Sequence, residues 1–191
     1  VKYVDVNHDG VINASDKVDL GNGLPKYTFG FNFSLAWKGF DLSANFTGAA
    51  GFQIAQSYRD PSSSQANYSR RILKRWTGEG TSNEIPRVTY GDVGNWLFSD
   101  LYLQDGDYIR LQNLTMGYDF KKLISWKGLS KMRLYFQVQN LFTLTKYDGM
   151  DPEIGSYNGT DGNSSDSWVS GVDMGYYPHP STFIVGVNVA F

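Results

Sequence analysis

Residues 5 to 16 read Asp5-Val6-Asn7-His8-Asp9-Gly10-Val11-Ile12-Asn13-Ala14-Ser15-Asp16, with oxygen-bearing side chains at positions 1, 3, 5, 9 and 12 of the run and glycine at position 6. That is the spacing of an EF-hand calcium loop. Asp5, Asn7 and Asp9 can point inward at alternate residues, Gly10 makes the sharp turn and Val11 offers its backbone carbonyl. Asn13 and Asp16 complete an all-oxygen set, and Ile12 tethers the loop to apolar surroundings. Asp16 stands where a bidentate glutamate is usual, and its shorter reach weakens or reshapes the site. The plain alternative is an Asx-rich turn without metal, since Asp, Asn and Gly dominate turns. No helical pattern flanks the loop, so the expected role of calcium is structural bracing rather than sensing.

Other residues with chemical potential are more scattered. Arg70, Arg71, Lys74 and Arg75 could bind an anion or form a solvated helix face. Trp96, Tyr102 and Tyr108 could stack on sugar rings or pack loop against loop. Asp151 and Glu153 offer the two carboxylates a glycoside hydrolase needs. They stand two residues apart, and no nucleophile, base and orienter join them, so the expectation is a protein that is not an enzyme. His8 and His179 lie far apart among turn residues and add no catalytic constellation. With 17 basic against 19 acidic residues, net charge is -2 and no nucleic-acid footprint is visible. Zero cysteines exclude disulfides and thiolate metal sites.

The elements that must carry these groups are strands. Tyr27, Phe29, Phe31, Phe33, Leu35 and Trp37 alternate with Thr28, Gly30, Asn32, Ser34 and Ala36, a period of two over the length of a tilted membrane-spanning strand. Phe40, Leu42, Ala44 and Phe46 continue, opposed by Asp41, Ser43, Asn45 and Thr47. A two-residue turn at Lys38-Gly39 would place Trp37 and Phe40 on one face. A third strand runs from about Asp107 to Phe120, with Leu114, Met116, Tyr118 and Phe120 on its apolar face. The fourth runs from Met132 to about Thr145, and the fifth from Pro180 to Phe191, where Phe183, Val185, Val187, Val189 and Phe191 share a face. Between them, Asn67 to Trp76 reads as a short helix and Ile85-Pro86-Arg87 as extended chain.

Aromatic residues make up 16% of a chain of mean hydropathy -0.37, large rings scattered among polar residues in the manner of barrel walls. No run approaches the apolar length of a spanning helix, and no leader pattern follows Val1, so the chain reads as part of something longer. The connections go short, long, short, long, which is the asymmetry of an outer-membrane barrel with short periplasmic turns and long external loops. The fold class is therefore all-β, five strands of a transmembrane antiparallel β-barrel. Residues 1–25 form an external segment carrying the calcium-like loop. Residues 26–191 hold the strands, with long external loops at 53–105 and 147–180, the latter including Trp168 and Tyr176-Tyr177. Five strands cannot close, so further strands are expected before Val1.

Several runs carry a resemblance: Asp5 to Asn13, Leu20-Gly21-Asn22-Gly23-Leu24-Pro25 through Asn32, Asp105-Gly106-Asp107-Tyr108-Ile109-Arg110-Leu111-Gln112-Asn113 through Tyr118, Gln139-Asn140-Leu141-Phe142 through Asp151-Pro152-Glu153, and Tyr177-Pro178-His179-Pro180 through Phe191. In this order they resemble the carboxyl-terminal part of a SusC/RagA-type TonB-linked outer-membrane transporter. Departures are Asn13 where aspartate is common and Gln112 where lysine is usual. The resemblance implies a bacterial outer-membrane barrel of about twenty-two strands, within the known range, of which these are the last five. It also implies an amino-terminal plug, coupling to TonB, a SusD-like surface lipoprotein as lid, and import of glycans or peptides. The terminal Phe191 would fit the signal read during barrel assembly. A competing architecture is a secreted, calcium-braced β-sandwich that binds carbohydrate, because sandwich strands alternate in the same way.

Overall fold

A computed structural model describes residues 3–57, 70–88, 98–124, 126–154 and 171–191. It contains β1 (Tyr27–Trp37), β2 (Phe40–Ala50), β3 (Gln53–Gln56), β4 (Leu103–Asp105), β5 (Tyr108–Asp119), β6 (Lys131–Thr145), β7 (Val172–Asp173) and β8 (Thr182–Ala190). Five strands form one sheet in the order β1-β2-β5-β6-β8, every pair antiparallel. β4-β3-β7 make a second, small sheet in which β3 and β7 run parallel.

The first hairpin closes as the alternation requires. Trp37 pairs with Phe40, and Lys38 and Gly39 both take positive φ, 48° and 95°, the condition of the primed turn that matches strand twist. Apolar side chains then line up across all five strands. One row is Leu35, Leu42, Met116, Phe136 and Val185, and another is Phe33, Ala44, Leu114, Val138 and Phe183. The opposite face carries Ser34, Ser43, Thr115, Gln137 and Ile184, then Asn32, Asn45, Asn113, Gln139 and Thr182.

A staggered pair of bulges interrupts this order. Asn45 and Phe46 on β2 answer Asn113 and Leu111 on β5, so Gln112 is extra. Those two in turn answer Gln139 and Phe142 on β6, where Asn140 adopts φ 50°. The slip at Gln112 reverses the facing of everything before it on β5. Ile109 and Leu111 join the apolar face, while Arg110 and Tyr108 turn to the polar one.

On the polar face large side chains lie flat over glycines. The Tyr135 ring crosses Gly186, where a Cβ would sit 2.3 Å from the ring. Gly186→Val should therefore cost about 1–3 kcal/mol through overpacking, read as a lower denaturation midpoint of the folded protein. Arg133 passes over Gly117 to reach Asp41 with two parallel bonds, Nε–Oδ1 at 2.8 Å and Nη2–Oδ2 at 2.5 Å.

Burial is uneven, and this separates the two architectures. Among the described residues much of the apolar face stands exposed, with Val185 70% exposed, Phe183 64% and Phe31 59%, while Leu111 and Val138 on the same face are buried. A sandwich would cover this face with its second sheet. Here the small sheet instead belongs to a cluster at the end of the long connections, where Ala49, Phe52, Ile54 and Tyr147 are buried with Tyr108 and Ile154 packed against them. The sandwich expectation is overturned by that placement. The loops at 53–105 and 147–180 are also not wholly irregular, since they contribute β3, β4 and β7. Strands of two to four residues are too short to leave a periodic signal. The helix expected over 67–76 appears among the described residues as a single 3-10 turn, Arg70–Lys74, followed by a bridge from Arg75 to Ile85.

Candidate functional site

The calcium-like loop is wound by its own acceptors. Asp5 receives the N–H groups of Asp9 and Gly10 at 3.3 and 2.8 Å, Asn7 Oδ1 that of Asp9 at 3.0 Å, and Asp9 Oδ1 that of Val11 at 2.8 Å. Gly10 takes φ 83°, the turn the motif reserves for glycine. Asp16 closes the loop by accepting from Val6 at 2.9 Å and Asn13 at 2.7 Å. The Asn13 N–H, helped by that of Val6, holds the Asp16 carboxyl below its usual range against the opposing effect of desolvation. Asn13 itself caps the short 3-10 turn that follows, its Oδ1 accepting from Ser15 at 2.8 Å.

The donor set is all oxygen, which suits a hard cation such as calcium, and every carboxylate oxygen that accepts one N–H keeps a second lone pair. Among the described residues, however, no three acidic or histidine side chains converge as a metal cluster. Asp5, Asp9 and Asp16 are like charges, and gathering them costs Coulomb energy unless a cation is bound. Ile12 does not bury itself. It stays 52% exposed along a cleft of about 800 Å³ between the loop and the small sheet, whose wall also includes Asp16, Leu20, Gln53 and Val172. Asn22 O accepts from Gln53 N at 2.8 Å, so the segment bearing the loop is fastened to β3.

A second constellation was not legible as a site. Arg110, 3% exposed, sends Nε to Thr143 Oγ1 at 2.8 Å, Nη1 to Glu153 Oε2 at 2.6 Å and Nη2 to Asp151 Oδ1. Asp151, also buried, accepts from Glu153 N at 2.9 Å and from His179 N at 3.0 Å. His179 Nδ1 lies 2.9 Å from Asp151 Oδ2 and 3.2 Å from Arg110 Nη1, donating to the carboxylate when it carries a proton and accepting from arginine when it does not. Burial alone would raise the Asp151 carboxyl, but these donors outweigh it and hold the group below its usual range. The structure thus brings Asp151, Glu153 and His179 together around an arginine. Asp151 is spent on an ion pair and is not presented as an acid or nucleophile.

Nearby, Tyr147 donates to the buried Asp173 at 2.5 Å, and Asp148 N donates to Gln104 Oε1 at 2.8 Å. Tyr108 is packed into the buried cluster with Arg110 5.7 Å above its ring, so packing rather than sugar stacking accounts for it. Arg71 reaches Asp148 at 3.8 Å, and Arg75 bonds back to Ile72 O, so two of the four basic residues act within the fold. Trp96 and Trp168 lie outside the described residues.

An antiparallel sheet whose one face is apolar across every strand, with a tight turn at one end and a folded cap at the other, is the wall of a transmembrane β-barrel. Comparison with known proteins gives the same class. The chain is 34% identical over 191 residues to TonB-dependent receptor P3 of Formosa agariphila, covering 99% of this chain and 19% of that protein. It is 28% identical over 193 residues to TonB-dependent receptor SusC of Bacteroides thetaiotaomicron, covering 99% and 17%. Among solved structures, the RagAB peptide transporter aligns with a TM-score of 0.72 at 23% identity over 95% of this chain and 19% of that one, a likeness of fold. No protein-family model matches. The chain is thus similar over nearly its whole length to the TonB-dependent receptors, as its resemblance to the SusC/RagA family implies, and it spans about a fifth of the length of the curated relatives it matches.

Proposed function

We propose that the chain serves as one section of a multi-pass barrel that imports oligosaccharides or peptides across the bacterial outer membrane. The observation that carries this is the largely exposed apolar face that runs across all five strands, in a chain similar over nearly its whole length to TonB-dependent receptors. In this reading the apolar face meets membrane lipid, while the polar face of Asn, Gln, Ser and Thr lines the lumen and meets the plug. The rest of the barrel supplies the plug and the contact with TonB, and a SusD-like lipoprotein closes the external mouth. Deleting the full gene should abolish growth on one class of glycan or peptide, and affinity-tagged transporter should retain a surface lipoprotein. Unchanged growth on every such nutrient, with no lipoprotein retained, would contradict the import reading.

Calcium belongs to the same proposal. Asp5, Asn7, Asp9, Val11, Asn13 and Asp16 would hold it, and bound there it would neutralise three carboxylates and fasten residues 5–16 beside the small sheet. Chelation of the full-length transporter should lower its melting temperature by several degrees with little change in substrate choice. Asp9→Asn should remove most of that response; a variant as chelator-sensitive as the parent would dispose of the site.

A further inference from the structure

The Gln112 slip decides where the external segments go. Because Arg110 pairs with Thr47 and Thr143, and Tyr108 with Ala49 and Thr145, all of these stand on the polar face. The buried cluster is built on that face, since Ala49 and Tyr108 are the wall residues that Phe52, Ile54, Tyr147 and Ile154 cover. Residues 52–56 after β2 and 147–154 after β6 therefore fold over the polar side. Arg110 is a charged wall residue beneath them that binds two of their residues at once, Asp151 and Glu153, while its Nε is fixed by Thr143 of the next strand. Asp151 then carries His179, which leads back into β8.

We propose that this clasp is a latch that holds the external cap inside the mouth of the barrel, against the lumen wall, rather than above it. Neither Arg110 nor Asp151 can leave alone without stranding a buried opposite charge, so the segments at 151–153 and 179 dock together or not at all. Arginine suits the task because its planar fork addresses two carboxylates and a hydroxyl in fixed directions, which a lysine ammonium does not. The inference rests on the barrel reading of the polar face as the lumen.

The test uses the full-length transporter in intact cells, with any cysteines elsewhere replaced. Ile54→Cys places a thiol at a position with 0% exposure in the cap, probed with a membrane-impermeant maleimide. With the clasp intact, labelling should be slow. Arg110→Lys should speed it at least tenfold at an unchanged level of heat-modifiable, folded barrel, and Glu153→Gln should speed it less. Glu153→Gln also serves as the reporter should Arg110→Lys fail to assemble. Arg133→Lys, which disturbs the other ion pair on the same face, should leave the rate unchanged. Rapid labelling with the clasp intact, no acceleration in either clasp variant, or equal acceleration by Arg133→Lys would overturn the latch. Absence of any heat-modifiable barrel even with the clasp intact would overturn the barrel reading itself, and that result is read apart from labelling.

Discussion

Val185→Arg should destabilise the full-length transporter by about 2–4 kcal/mol, the cost of a cation near the midplane of a barrel's lipid face. Val185 stands in the middle of β8, pairs with Phe136 and is 70% exposed on the apolar side. One position away in the neighbouring row, Gln137 shares the polar face with Thr115, and Gln137→Arg keeps its charge in a wet, polar setting. The contrast is what matters, because the two residues stand on adjacent rungs of the β6–β8 pair while their facing differs. Urea unfolding of refolded protein in liposomes measures both. Equal losses would mean that the two faces meet the same medium, which a barrel wall does not allow.

Arg110→Ala should cost about 3–5 kcal/mol, as expected when one partner of a buried ion pair is removed and the other is left uncompensated. The stranded group is Asp151, 6% exposed and already carrying several donors. Acid should act on the same cluster. The Asp151 carboxyl is held below its usual 3.8 in the folded protein, so its contribution is fully present above that value and disappears as pH falls through the folded value. The charged and titratable groups around it are Arg110 and Tyr108 from β5, Glu153 from its own segment and His179 from the approach to β8, while β6 offers the neutral Thr143. Stability of the parent should therefore fall below pH 4 more steeply than that of Asp151→Asn, and thermal melts across that range would show it. Superimposable pH profiles would remove Asp151 from the account.

The strands were legible because each side of a membrane wall imposes a two-residue rhythm. Tyr27 to Trp37 and Phe183 to Phe191 gave their faces directly, and the Lys38-Gly39 turn set the register between β1 and β2. The bulge leaves a fainter mark. Ile109 and Leu111 are out of phase with Leu114 and Met116, and that slip at Gln112 is the only trace in the sequence that Arg110 changes face. The clasp could not be found from spacing at all. Arg110, Asp151 and His179 are separated by whole strands, and only the register of β5 against β6 brings them together. The small sheet was hidden for a different reason, since β7 is two residues long and pairs in parallel with a strand more than a hundred residues earlier. For the calcium-like loop the sequence supplied the donors in order, and the structure supplies their backbone hydrogen bonds.

The most direct test of the wall itself is a nitroxide scan of β8 in the full-length transporter reconstituted in liposomes, one label at a time from Phe183 to Val189. The account predicts a strict alternation: labels at Phe183, Val185, Val187 and Val189 relaxed by oxygen dissolved in lipid, and those at Ile184, Gly186 and Asn188 relaxed instead by a water-soluble nickel chelate or shielded from both reagents. Uniform access of the water-soluble reagent to both sets would contradict it, because the apolar face would then not lie against lipid.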